Sequence, residues 1–157
     1  MKILIKHLIV FCLLIATYSS CKKGGSTSET PVSDTTNPTI SIIKPTAGQV
    51  FVVGNNIAFQ AGFADNAKLK SYSIAVTKVV TGGFILKNVP VPVAWSYTKA
   101  ATSFTSGVKQ QDITLNDIVV PLDINGSPVA TGDYNFKVSC VDDAGNTTTT
   151  TLVIKIN

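Results

Sequence analysis

Apolar and polar residues alternate with a period of two along most of the chain from Pro38 onward. In IAFQAGF, Ile57, Phe59, Ala61 and Phe63 share one face, with Ala58, Gln60 and Gly62 on the other. YSIAV groups Tyr72, Ile74 and Val76. GDYNFKVSC sets Tyr134, Phe136, Val138 and Cys140 against Asn135, Lys137 and Ser139. TLVIKI sets Leu152, Ile154 and Ile156 against Val153 and Lys155. Successive side chains of a strand point to opposite sides, so this period predicts strands with one buried face. In DITLNDIVVPL the phase slips between Leu115 and Ile118, which predicts a bulge or kink at Asn116-Asp117.

Turn-forming residues separate the runs: Asp65-Asn66, Gly82-Gly83, Asn125-Gly126 and the DAGN of residues 143–146. Short alternating strands between such turns predict an all-β fold, an antiparallel sandwich of about seven to nine strands. The stretch 79–110 breaks the pattern. Pro90 and Pro92 predict a long connection there, kept off any central strand. Composition agrees with strands: residues 38–157 hold no Glu, no Arg, no Met and five Leu, so strong helix formers are scarce. These 120 residues suffice for one domain.

The spacing of these runs, and above all ATGDYNFKVSCVDDAGN, resembles bacterial immunoglobulin-like domains. The resemblance implies that Gly132-x-Tyr134 opens the penultimate strand and that the Asp-x-x-Gly-Asn run makes the last hairpin. It also implies that Tyr134 is a corner tyrosine whose hydroxyl bonds nearby backbone. It covers nearly all of residues 38–157 and implies a fold without an activity.

The N-terminus has a different character. Lys2 and Lys6 precede a nine-residue apolar run, LIVFCLLIA, and Ser19-Ser20 follow before Cys21. The pattern predicts a signal peptide over residues 1–20. A membrane span needs about 20 apolar residues, more than this run has. Ser19-Ser20-Cys21 resembles the lipobox of bacterial lipoproteins in the looser form of the Bacteroidetes group, with Tyr18 where Leu is common. The resemblance implies cleavage before Cys21 and acylation of its thiol (palmitate among the chains), with the membrane as partner through that lipid. The other reading is a secreted protein with an incidental cysteine. Residues 21–37 contain one apolar residue, Val32, and are expected to form a disordered tether spanning roughly 20 Å on average. Asp34-Thr35-Thr36 also resembles a Bacteroidetes-type O-glycosylation acceptor, with Thr35 the modified residue.

Charge and absent residue types exclude several functions. The whole chain carries +4, but from Cys21 it keeps 11 Lys against 9 acids, and no arginine occurs anywhere. No basic footprint for nucleic acid follows. His7 is the only histidine and lies in the signal, so neither a Ser-His-Asp nor a Cys-His system can be assembled in the mature chain. Once Cys12 is removed and Cys21 acylated, Cys140 stands alone. No intrachain disulfide is then possible, and Cys140 reads as a small buried hydrophobe.

Two constellations remain. In an immunoglobulin-like sandwich, Asp65, Asn66, Asp142, Asp143 and Asn146 would gather at one pole, where the first strand begins. Such oxygen ligands suit calcium, with Asp65, Asp142, Asp143 and Asn146 as the ligand set. The alternative, favoured by the lack of any calcium-loop spacing, is that they are turn residues bonding their own backbone. Trp95 and Tyr97 would, if exposed, stack on sugar rings and bind a glycan. If buried, Trp95 plugs the core, as large aromatics tend to do. Asp142 and Asp143 are adjacent and should diverge, which argues against a carboxylate pair acting as a glycosidase.

The expected protein is therefore a lipid-anchored binding or structural module of the cell envelope and not an enzyme. The alternative is an accessory glycan-binding lipoprotein. Lys22 after the cysteine resembles an outer-membrane address, and the absence of early acids favours the periplasmic face over the cell surface. The pole away from the tether, with residues 45–49, Gly82-Gly83 and residues 123–131, is the expected contact surface for a partner.

Overall fold

An extended backbone lets every second side chain leave water while its amides pair with a neighbouring strand. The runs that alternate most regularly form the longest strands. The computed structural model describes residues 33–80 and 91–157. Ten strands follow one another: β1 (Thr39–Lys44), β2 (Val50–Phe51), β3 (Asn56–Ala64), β4 (Leu69–Lys78), β5 (Ser96–Ser103), β6 (Gln110–Val119), β7 (Asp123–Ile124), β8 (Ser127–Pro128), β9 (Gly132–Asp142) and β10 (Thr147–Ile156). They make a three-stranded sheet in the order β1-β3-β6 and a five-stranded sheet in the order β2-β10-β9-β4-β5, with β7 and β8 as a separate small hairpin. The long strands all pair antiparallel; β2 alone runs parallel to its neighbour, β10. Among the described residues no helix is long and apolar enough to cross a membrane.

The two sheets face each other over one core. Ile57, Phe59, Ala61 and Phe63 of β3 are at most 1% exposed, as are Ile74 and Val76 of β4 and Tyr134, Phe136, Val138 and Cys140 of β9. Phe59 and Phe136 meet across the sandwich with ring centroids 5.8 Å apart. Phe63, Tyr72 and Phe104 form a second aromatic cluster with centroids 5.1 to 5.5 Å apart. Leu152 is only half-buried, whereas Ile154 and Ile156 are fully buried.

The expected bulge is present. Ile57 pairs with Ile118 and Phe59 with Leu115, so two steps on β3 oppose three on β6. The extra residue falls at Asn116-Asp117, and the Asn56 side-chain amide donates to the Asn116 carbonyl at 2.7 Å. Asn125 (φ 54°) and Gly126 (φ 78°) are both left-handed and close β7 onto β8, the conformation an Asn-Gly pair favours in a two-residue hairpin. Residues 143–146 close β9 onto β10, with Gly145 at φ 95°. Gly82-Gly83 lies outside the described residues.

The described residues form the expected antiparallel sandwich, and three of their ten strands, β2, β7 and β8, are two-residue pieces too short to leave a periodic signal. Two expectations need correction. The stretch 79–110 is not all connection: it contains β5, the edge of the five-stranded sheet. An edge strand buries little, and SYTKAATS has no large aliphatic residue to alternate. Second, residues 33–37, expected to be linker, belong to the compact unit Ser33–Asn157. Residues 33–37 do not behave as free tether, because Asp34 and Thr36 are hydrogen-bonded to the sandwich.

Candidate metal centre

Antiparallel pairing brings three chain segments to one pole. Thr39 at the start of β1 pairs with Ala64 at the end of β3, and Leu69 at the start of β4 pairs with Asp142 at the end of β9. The N-terminal segment, the β3–β4 loop and the β9–β10 hairpin therefore converge. Thr39 Oγ1 donates to the Ala64 carbonyl at 3.1 Å, and Thr148 Oγ1 donates to the Pro38 carbonyl.

Each segment contributes a carboxylate. Asp142 continues the inward face of β9 and is fully buried. Its Oδ1 accepts the Asn146 backbone N–H at 2.7 Å, and its Oδ2 accepts the Asn146 side-chain amide at 2.7 Å. Asp65 Oδ2 accepts the Ala67 N–H at 2.9 Å. Asp34 Oδ1 accepts the Thr36 N–H at 3.0 Å and the Asn66 side-chain amide at 3.1 Å. These bonds hold the Asp34 carboxyl below its ordinary value, the Thr36 N–H most strongly and Asn66 next; burial opposes them, and the charge of Lys109 adds a smaller lowering. One oxygen from each of Asp34, Asp65 and Asp142 lies within 4.8 Å of the other two. Asp34 Oδ2 and Asp65 Oδ1 are sealed from solvent and accept no hydrogen bond.

The expected ligand set is thus partly assembled. Asp65, Asp142 and Asn146 are together, with Asn66 beside them. Asn146 serves as a donor, its Nδ2 also reaching the carbonyls of Asp34 at 3.0 Å and Thr36 at 3.2 Å. Asp143 stands outside the three-carboxylate cluster: it is exposed, and its N–H donates to the Lys68 carbonyl at 2.9 Å. Alternation along the hairpin forces adjacent aspartates apart, as expected. Asp34 is the residue the sequence reading missed. Its signal was available, since it is the only acid in the nine residues before Thr39, where β1 enters this pole. Thr35, the expected glycosylation position, is exposed between Asp34 and Thr36.

Of the two readings of the aromatic pair, the structure shows the buried one. Trp95 is 6% exposed. Its ring packs on Tyr134 at 6.0 Å and Tyr97 at 6.4 Å between centroids, and its backbone N–H donates to the Tyr134 hydroxyl at 3.4 Å. A ring used in this way offers no open face to a sugar, so Trp95 and Tyr97 form no surface platform. Tyr97 is half-buried, and its phenol is pushed up by burial first and then by the charge of Asp117.

Cys140 is fully buried, and burial pushes its thiol from 9.0 up to about 11, with the charges of Asp65 and Asp142 adding to the shift. It is a packing residue with no nucleophilic character at neutral pH. Because the native thiol keeps its proton to higher pH than the unfolded one, stability is complete below pH 9.0 and falls as pH rises toward 11. The expected loss is about 2 kcal/mol at the upper end. Tyr134 acts in the same direction at still higher pH, since burial raises it as well. Urea midpoints measured from pH 8 to 11 should fall more steeply for the native chain than for Cys140→Ala, and equal slopes would count against this assignment.

Residues 19–157 match the model of a family described as a domain of unknown function (DUF4625). No curated protein matches the chain. Cys21 and the signal residues lie outside the described residues.

Proposed function

The chain belongs to the DUF4625 family, and from that premise we propose that it is a lipid-anchored module of the cell envelope, an immunoglobulin-like sandwich with a binding or structural role and no catalytic one. Several features support this reading. The family match runs over residues 19–157 and so takes in Cys21. The strand orders β1-β3-β6 and β2-β10-β9-β4-β5 suit an immunoglobulin-like arrangement. So does the Tyr134 hydroxyl, which donates to the Ala130 carbonyl four residues upstream at 2.6 Å.

The observation that carries the reading is an opposition between two poles. The N-terminal segment enters beside Asp65 and Asp142. Val50, Val52, Val80, Val93, Val119 and Leu122, each more than a third exposed, lie toward the other end. Val119 pairs with Asn56 at the first position of β3, Val50 with Lys155 near the end of β10, and Val93 bridges Val129 just before β9. An apolar rim held away from the anchored end is where a partner would dock. Lys22-Lys23 and the lack of acids before Glu29 favour the periplasmic face of the outer membrane.

Mass spectrometry of the mature N-terminus tests the anchor. The expected result is a chain beginning at Cys21 with its thiol diacylated. A free thiol, or cleavage at another position, would overturn the proposal. On intact cells, rapid protease digestion of the sandwich would overturn the periplasmic assignment.

A further inference from the structure

We infer that Asp34, Asp65 and Asp142 form a calcium site that fastens the N-terminal segment to the sandwich. Two separate observations carry this. The first is the approach of three carboxylates, one oxygen of each within 4.8 Å of the other two. The second is that Asp34 Oδ2 and Asp65 Oδ1 are closed off from water with no donor to meet them. Charged oxygens are not left sealed and unpaired without cost. The Lys109 ammonium does not fill this role; it donates to the Asn66 carbonyl at 2.7 Å.

The donors define the cation. Every ligand atom is a carboxylate oxygen, with no nitrogen or sulfur in the cluster, which selects a hard ion. Calcium–oxygen bonds of 2.3–2.6 Å let two oxygens on one ion stand about 5 Å apart, which accommodates the observed span. Magnesium, at about 2.0–2.1 Å, reaches only about 4 Å and demands stricter geometry. Local bonds hold the carboxylates in place: Asp34 by Thr36 and Asn66, Asp65 by Ala67, and Asp142 by Asn146. These bonds leave one oxygen of Asp34 and one of Asp65 without a donor.

This set replaces the one expected from the sequence, with Asp34 entering and Asp143 and Asn146 leaving. The exchange has a mechanical consequence. Because one ligand comes from the segment before β1, the ion binds best when that segment is docked, and by linkage it holds the segment docked. The inference stands whether or not Cys21 carries lipid.

The test uses the purified chain, stripped with EDTA and titrated with calcium chloride at matched ionic strength. The expected dissociation constant is about 10⁻⁴ to 10⁻³ M, the range of extracellular calcium modules. At roughly fifty-fold excess over that constant, Tm should rise by about 5 °C or more. Asp34→Asn should weaken calcium binding at least ~10-fold with little effect on the Tm of the metal-free chain. Asp143→Asn should bind as the native chain does. Asp34→Asn is the decisive variant, because Asp142→Asn also disturbs the β9–β10 hairpin. No calcium response in calorimetry or Tm, or an unchanged affinity in Asp34→Asn, would overturn the site. An equal response to magnesium chloride would overturn the assignment to calcium.

Discussion

Phe136→Ala is expected to destabilise the domain by about 3–5 kcal/mol, and Lys137→Ala by almost nothing. The two residues are neighbours on β9 and differ only in the face they present. Phe136 is fully buried and stacks against Phe59 of the opposite sheet at 5.8 Å, so truncation opens a cavity where the two sheets meet. The neighbouring strands fix its position through pairing with Val76 on one side and Leu152 on the other, so the backbone cannot easily close the gap. Lys137 is exposed on the outer face and makes no ion pair among the described residues. Denaturant titration of both variants is the check. Comparable losses would mean that the register of β9 is wrong by one residue.

Tyr134→Ala is expected to cost about 4 kcal/mol, and Tyr134→Phe about 1–3 kcal/mol, since the second change removes only the hydroxyl. Tyr134 is fully buried. Its hydroxyl donates to the Ala130 carbonyl at 2.6 Å and accepts the Trp95 N–H at 3.4 Å. Phenylalanine leaves both backbone groups buried without a partner, and that desolvation penalty dominates its cost. Alanine also empties the space that the Trp95 ring packs against and removes the ring face above which Lys78 Nζ sits at 5.1 Å. The tyrosine joins the segment before β9 to the segment before β5, which have no strand pairing beyond the single Val93–Val129 bridge. Thermal or urea unfolding of the two variants separates ring from hydroxyl. A Tyr134→Phe variant as stable as the native chain would show that the hydroxyl pins nothing.

What could be read toward function was largely a matter of residue types. One histidine at position 7 and no arginine are facts of composition that hold in any fold. The metal cluster was legible in part. Asp65 and Asp142 flank turn signals, and turns at matching ends of antiparallel strands meet. Asp34 lies 31 residues from Asp65 and 108 from Asp142 in the chain. Nothing in a polar run of Ser, Thr and Asp tells whether it folds back onto a domain. The hydrogen bonds from Asn66 and Asn146 to Asp34 decide that it does. Trp95 shows a different limit: burial of so large a ring was expected, but its packing partner Tyr134 lies 39 residues away and is visible only in the structure.

The sequence by itself determined the strand period, the inward face of β3, β4, β9 and β10, the bulge in β6 and the Asn125-Gly126 turn. All of these depend on neighbours a few residues apart, where backbone geometry dictates which side chains share a side. Tertiary structure alone decided which sheet each strand joined, that Ser96–Ser103 extends as an edge strand, that Trp95 packs on Tyr134 and that Asp34 meets Asp65 and Asp142. These are contacts between segments far apart in the chain. Their free energy comes from surfaces that exist only once both sheets have formed, so no local pattern records them.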